Sequence, residues 1–422
     1  MNQETAMLAA LFEKSMNLGP EWTVTSAEFR EGLPGGDELH IYISRTPGRA
    51  VECPSCGCRR GVYDTRPREW RHLDVWQYKT IVHCDVPRVD CPECGVLTAR
   101  VPWASDDSAR FTALFEAHAL VMVMAGMTVR GCAKVLRCGD TTLWSMLNRL
   151  AARARAAADF SGVARVGVDE TSRRKGHNYL TTFVDLDRQR AMFCCKGRDA
   201  GTVAAFAADL AAHGGDPAEV EAVTCDMSQA FANGVRDCLP GAHRVVDRFH
   251  VMQLASKRVD LVRTQEARES AEKRRLLKGT KYVWLKRDEN LTRRQRARKL
   301  DLAGENLKTG RACAMAEALR RVYDCCETRE EAEAELKGLC SWIMHSNVPQ
   351  MKVLARTLRE NWDGVLAYFD DRLTNGILEG MNSVIQSVKR AARGYRNFEY
   401  FSTMIYLKLG KLPLVEQICA TH

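Results

Sequence analysis

The sequence predicts a multidomain α+β protein, and three observations carry that expectation. Its 422 residues, 45% of them hydrophobic, are too many for one compact core and suggest roughly three domains. Two near-identical cysteine knuckles, Cys53-Pro-Ser-Cys56-Gly and Cys91-Pro-Glu-Cys94-Gly, lie early in the chain. Strand-like segments between residues 161 and 250 then give way to a long basic stretch with helical patterning only.

Lys and Arg exceed Asp and Glu by 62 to 53, a net charge of +9. The stretch from Val251 to Arg311 holds eighteen basic residues against eight acidic ones, more than the whole excess. Such a surplus points to a phosphate backbone as partner; a solvated helical surface is the alternative. Seventeen cysteines, including the neighbours Cys194-Cys195 and Cys325-Cys326, come with no visible secretory leader. A reducing cytosol is therefore expected, with cysteines as core residues or metal ligands. The longest apolar run, Ala119 to Met127, is far short of the ~20 residues that span a bilayer, so no membrane partner is expected.

Residues 1–104 begin with the strand-like runs Trp22-Thr-Val-Thr25 and Glu38 to Ser44 around the turn signal Leu33-Pro-Gly-Gly-Asp37, which predicts a β-hairpin. Each knuckle can set two thiolates on one tight turn, with Gly following where the backbone needs positive φ. Two such turns complete a tetrahedral Zn²⁺ site with Cys53, Cys56, Cys91 and Cys94 as ligands. Four protein ligands close the site, so this zinc ribbon is structural; four free cysteines are the alternative, and Cys58 and Cys84 lie near enough to substitute. Between the knuckles Arg59, Arg60, Arg66, Arg68, Arg71, Lys79 and Arg88 interleave with Trp70, His72, Trp76 and Tyr78. That mixture suits DNA contact, although a small ribbon also needs aromatics for its core.

Residues 105–160 read as a helix-turn-helix. An apolar helix from Phe111 to Met124 ends at Gly126, Thr128 to Leu136 forms a short helix, and Arg137-Cys-Gly139 a turn. Asp140 is the expected N-cap of the next helix. Thr141, Thr142, Ser145, Asn148 and Arg149 form the face expected to meet the major groove, while Leu143, Met146, Leu147 and Leu150 pack inward. An ordinary helical hairpin is the competing reading.

Residues 161–250 give the order β-β-β-α-β-α-β. The run Val163 to Val168 delivers Asp169 and the run Val220 to Cys225 delivers Asp226. A right-handed crossover would bring those two strand ends together. A lone Asp after a strand usually caps a helix. Two strands ending alike, with Glu170 beside Asp169, make a clustering of negative charge that is costly unless a cation neutralises it.

Residues 251–372 form a basic helical insertion, with Arg293, Arg294 and Arg296 as expected phosphate contacts. Residues 373–422 open a helix on which Ile377, Leu378, Met381, Val384, Ile385 and Val388 make one stripe. Asn375, Glu379, Asn382, Gln386 and Lys389 make the opposite one. Lys389, Arg390 and Arg393, further along, could hold a phosphate strand beside Glu379.

Taken together, Val168-Asp169-Glu-Thr, Asp226-Met-Ser, Val246-Asp-Arg-Phe-His-Val251, Thr374 to Asn382 and Gly394-Tyr-Arg-Asn-Phe-Glu-Tyr-Phe401 resemble the transposases of bacterial insertion sequences of the ISL-three family. The resemblance runs from the cysteine pairs to about Leu409. It implies an RNase H-like α/β catalytic core interrupted by an α-helical insertion, with an Asp, Asp, Glu triad on Asp169, Asp226 and Glu379. Those carboxylates would hold Mg²⁺ (or Mn²⁺), two ions about 3.5–4 Å apart, for in-line displacement at phosphorus. The implied partners are double-stranded DNA of the element's terminal repeats and of the target. Two ends must be held at once, which implies a dimer or larger at the bacterial nucleoid. Asp247 and Glu170 compete with Glu379 as third ligand. Glu379 is preferred because a helix laid across the sheet approaches the metals from a second side, leaving Asp247 as a cap or a support near His250. The alternatives are a zinc-dependent DNA-binding regulator with an inert sheet domain, and a nuclease that stops at hydrolysis.

Overall fold

The computed structural model describes residues 3–105, 108, 110–174, 178–373 and 376–414. The chain divides into two compact units, one of Met1–Ala158 with Glu399–His422, the other of Asp159–Phe398.

In the first unit, helix α1 (Gln3–Ser15) precedes strands β1 (Trp22–Arg30) and β2 (Glu38–Arg45), which pair antiparallel as expected. Next come β3 (Val51–Glu52), β4 (Arg59–Arg60), β5 (Asp64–Arg71), β6 (Lys79–Cys91) and β7 (Gly95–Thr98). The main sheet has the order β1-β2-β6-β5, with β7 added on β6. The basic stretch between the knuckles is thus largely sheet. The reason is visible in β6, where Thr80, Val82, Cys84 and Val86 are buried at alternate positions. Trp22, Trp70 and Trp103 meet edge to face, with centroids 5.0 and 5.6 Å apart, among Leu39, Ile41 and Val82. Trp70 is therefore a core residue. A second small core of Val51, Cys53, Val89, Cys91 and Ala99 belongs to the ribbon.

Helices α2 (Ala113–Met124), α3 (Val129–Val135) and α4 (Asp140–Ala156) follow. Thr112 and Thr128 cap α2 and α3 by accepting from the Phe115 and Gly131 N–H groups. The cap of α4 differs from expectation. Gly139 occupies that position, and Asp140 is already helical, its carboxylate accepting from the Thr141 N–H. Leu143, Met146, Leu147 and Leu150 are buried, as the helical spacing predicts.

In the second unit β8 (Arg165–Arg174), β9 (Asn178–Asp185) and β10 (Arg190–Lys196) form an antiparallel meander. Helix α5 (Ala200–Ala212), β11 (Ala222–Cys225), α6 (Gln229–Cys238) and β12 (His243–Val246) complete a sheet of order β10-β9-β8-β11-β12, with β11 parallel to both β8 and β12. This matches the expected β-β-β-α-β-α-β. Helices α7 (Arg248–Glu266), α8 (Ala271–Leu277), α9 (Lys281–Leu285), α10 (Arg293–Ala303), α11 (Lys308–Cys325), α12 (Arg329–His345), α13 (Pro349–Glu360) and α14 (Trp362–Asp371) follow without a further strand among the described residues. Helix α7 packs on α11 and α13, and α14 returns to β12, where Gly364 leaves room for Val246.

Helix α15 (Gly376–Ala391) lies over β8. A Cβ on Gly167 would come within 2.8 Å of the Leu378 side chain, so glycine there permits the crossing. The last helix is α16 (Phe398–Leu409), and residues from Glu399 onward group with the first unit. Apolar and polar contacts hold it there. The Tyr400 and Trp144 rings stack 4.2 Å apart, Arg155 lies over Tyr406, and Lys408 donates to the Met124 carbonyl at 2.7 Å.

Candidate functional site

The two knuckles converge. Among the described residues, Cys53, Cys56, Cys91 and Cys94 are the only group of three or more His, Cys, Asp or Glu whose ligand atoms all lie within 4.8 Å of one another. The Cys56 and Cys91 sulfurs are 3.6 Å apart, close to the ~3.8 Å edge of a tetrahedron built on Zn–S bonds of about 2.3 Å. Gly57 and Gly95, at φ +73° and +76°, make the turns that aim them. Backbone N–H groups of Cys56 and Ser55 lower the Cys53 thiol. The Glu93 N–H and then the Cys58 thiol bring Cys91 down to about 6, which favours the thiolate at those two ligands, whereas Cys94, despite the Ser55 side chain that lowers it, is held up at about 11 by Cys56 and burial. These donors fit structural zinc. Of the two substitutes, Cys84 belongs to the other core, while Cys58 stands 3.4 Å from Cys91 and is held up at about 12 by Cys56 and Cys91.

The carboxylates arrive differently. Asp169 was expected at the end of its strand but lies inside β8, which continues to Arg174 as half of a hairpin with β9. Its pairing with β11 stops at Gly167, and Asp226 directly follows the last residue of β11, so both sit where the parallel strands part. Asp226 accepts from the Ser228 N–H at 2.8 Å. Residues 167, 169 and 171 share one face by the pleat of the strand, and α15 covers that face. Asn382 on α15 donates to Asp169 and accepts from Thr171 at 3.4 Å. Lys389, two turns further, donates to the Ser172 carbonyl. Glu379 is exposed, one turn ahead of Asn382. Thr374 and Asn375 lie outside the described residues.

Asp247 caps α7 through the Phe249 N–H and accepts from His250 Nδ1 at 2.8 Å, and His250 Nε2 reaches to 4.0 Å from Asp169. The expected supporting place of Asp247 near His250 is what the structure has. Its hydrogen bond raises the His250 pKa. Burial raises Asp169, and burial followed by the charge of Asp226 pushes Glu170 up to about 7. Burial thus disfavours the charged forms of Asp169 and Glu170, a cost that a bound cation would relieve.

On α4, Thr141 and Ser145 are exposed and, with Thr142 and Arg149, line a cleft of about 400 Å³. Asn148 and Arg149 also make contacts inside the unit. Asn148 donates to Glu399 at 3.2 Å, and Arg149 pairs with the fully buried Glu116. Sequence reasoning missed both partners, although an acidic residue inside the apolar run of α2 was the available signal. Arg293, Arg294 and Arg296 are exposed at the start of α10, as are Arg390 and Arg393 near the end of α15.

Residues 166–405 match the family model of a transposase, residues 49–94 that of the zinc-finger of transposases IS204/IS1001/IS1096/IS1165, and residues 99–151 that of the helix-turn-helix domain of transposase family ISL3. A transposase for insertion sequence element IS1557 from Mycobacterium tuberculosis is 27% identical over 429 residues, covering 95% of each chain. One for element IS1001 from Bordetella parapertussis is 28% identical, covering 87% of this chain and 90% of that one. No described helix is long and apolar enough to cross a membrane. With a helix-turn-helix, a zinc ribbon and a DNA-processing domain, the chain belongs to the ISL3 family of insertion-sequence transposases.

Proposed function

We propose that this protein binds the terminal inverted repeats of its insertion sequence and carries out metal-dependent DNA strand cleavage and strand transfer. In this reading the ribbon (1–104) and helix-turn-helix (105–160) recognise the ends. An RNase H-like core (161–250 with α15) cuts and joins, and the basic helices of 251–372 follow the phosphate backbone. The observation that carries it is the bond from Asn382 to Asp169, 213 residues apart in sequence, which supports α15 as the element bringing Glu379 to the Asp169 and Asp226 strands.

Asp169, Asp226 and Glu379 would hold Mg²⁺. Bound there, the ion supplies Lewis-acid polarisation of the phosphate and a lowered pKa for the attacking water. Asn382 fixes the Asp169 carboxylate. Asp247 sets the orientation of His250, which in turn faces Asp169. Thr141, Thr142 and Ser145 are the residues of α4 left to meet base edges. Lys389 is tied to β8, leaving Arg390 and Arg393 as phosphate contacts beside the carboxylates. Holding two ends at once calls for at least a dimer on DNA.

The test incubates the protein with a labelled duplex carrying the element's end, with Mg²⁺ and a target plasmid. Nicks at the element boundary and joined products are expected, and Asp226→Asn should yield neither. Binding without nicks would identify a regulator with an inert core, and nicks without joining a nuclease.

A further inference from the structure

The connection from β5 to β6 ends in a two-residue loop, Trp76-Gln77. It is closed by Val75 and Tyr78, whose N–H groups each donate to the other's carbonyl at 3.2 and 3.0 Å. In hairpin loops of this length a first residue at positive φ is ordinarily glycine, asparagine or aspartate. Here it is Trp76, at φ +53° and 83% exposed. The conformation strains a bulky residue, and an exposed indole gains nothing from burial, so neither backbone preference nor packing accounts for Trp at this place.

The loop is also anchored. Asp74, two residues before Trp76, accepts from Arg71 on β5 and from Arg137 Nε at 2.9 Å, and Arg71 donates to the Leu136 carbonyl at 3.3 Å. Arg137 opens the turn between α3 and α4 and is itself at φ +51°. The loop that carries the indole is therefore tied to the turn that leads into α4, the end from which a recognition helix enters the major groove. Helix α3 and the turn also expose Arg130 and Lys134, and Arg137 beside its Asp74 partner.

We propose that Trp76 is a DNA-contact residue of the helix-turn-helix. Its indole packs on a base or sugar of the element-end duplex beside the site read by α4, while the neighbouring cations meet phosphates. Aromatic faces stack on any base, and apolar side chains enter between base steps where a duplex yields. The proposal rests on the reading of the protein as a transposase that binds its own ends.

The test measures binding of full-length wild type, Trp76→Gly, Trp76→Asn and Trp76→Phe to a duplex carrying the terminal repeat and to a scrambled duplex, over a salt series, with a thermal melt of each protein. Gly and Asn tolerate positive φ, so those two variants should melt at or above the wild-type temperature. Both should lose roughly tenfold or more in affinity for the repeat while Trp76→Phe loses little, the size expected of one aromatic contact to a base. The slope of log affinity against log salt should stay that of wild type, because phosphate contacts are untouched. Gly and Asn variants that bind the repeat like wild type overturn the proposal and leave the indole to a protein partner. Variants that melt below wild type overturn it too, since Trp76 is then structural. Wild-type protein that binds the repeat no better than the scrambled duplex removes the transposase reading itself.

Discussion

At the ribbon, four ligands come from two knuckles of five residues each, and the thiols lie within 4.8 Å of one another. At the sheet, the proposed ligands Asp169, Asp226 and Glu379 come from three segments separated by up to 210 positions, and Glu379 stays in solvent. The first site is held by its own turns. The proposed second site would rest on partners brought from afar, Asn382 on α15 and Asp247 acting through His250. A closed structural centre can be built by local backbone geometry alone. A centre that must admit DNA needs open positions, and its ligands depend on the fold around them.

The comparison predicts different failures. Cys91→Ser should release zinc and unfold the ribbon, because structural zinc in such small sites is worth about 10–16 kcal/mol of folding, while the second unit remains folded. Metal analysis and limited proteolysis read both halves of that expectation. Zinc retained by the variant would break the local account. His250→Ala should leave folding intact, since Asp247 still caps α7, yet weaken Mn²⁺ binding at the carboxylates by about 10–100-fold, as losses of such supports typically do. Unchanged Mn²⁺ affinity by calorimetry would mean that the carboxylates need no help from α7.

A smaller effect concerns the sheet from which Cys91 emerges. On β6, His83 stacks on Tyr42 and meets His40 at 2.7 Å, with Glu69 at 3.6 Å; Glu38 links His40 to Lys79. Burial and the neighbouring His40 lower the His83 pKa. As pH falls below about 6.5, protons bind the unfolded chain before the folded one, so this group takes stability from the first unit on acidification and has no such effect above. Tryptophan-fluorescence melts at pH 7.5 and 5.5 should show the loss, and His83→Gln should reduce it. Equal pH dependence in the two proteins would remove His83 from the account.

The same contrast explains what was legible in the sequence. The ribbon is written in a doubled Cys-Pro-x-Cys-Gly, and the order of the second sheet in a change of hydrophobic period, so both were legible. What stayed hidden depends on pairs distant in sequence. Arg149 looks available on the face of α4 until the chain folds Glu116 beneath it, 33 positions away, and Asn148 until Glu399 returns, 251 positions away. Asp140 is a good capping residue, but the helix begins one residue earlier than side-chain preference suggests. Asn382 was legible only as a polar neighbour of Glu379 at helical spacing; its bond to Asp169 needed Gly167 to let α15 cross the strand.

In the proposed site Glu379 is the third ligand, rather than Asp247, which follows the last parallel strand. A paired measurement of Mg²⁺-dependent cleavage at the element boundary tests it, with folding and end binding checked in both proteins. Glu379→Gln should lower cleavage by several orders of magnitude, as expected when a metal ligand is lost. Asp247→Asn should leave measurable cleavage, since Asp247 caps α7 and holds His250. Normal cleavage in Glu379→Gln with none in Asp247→Asn would contradict the account and place the third ligand on β12's end rather than on α15.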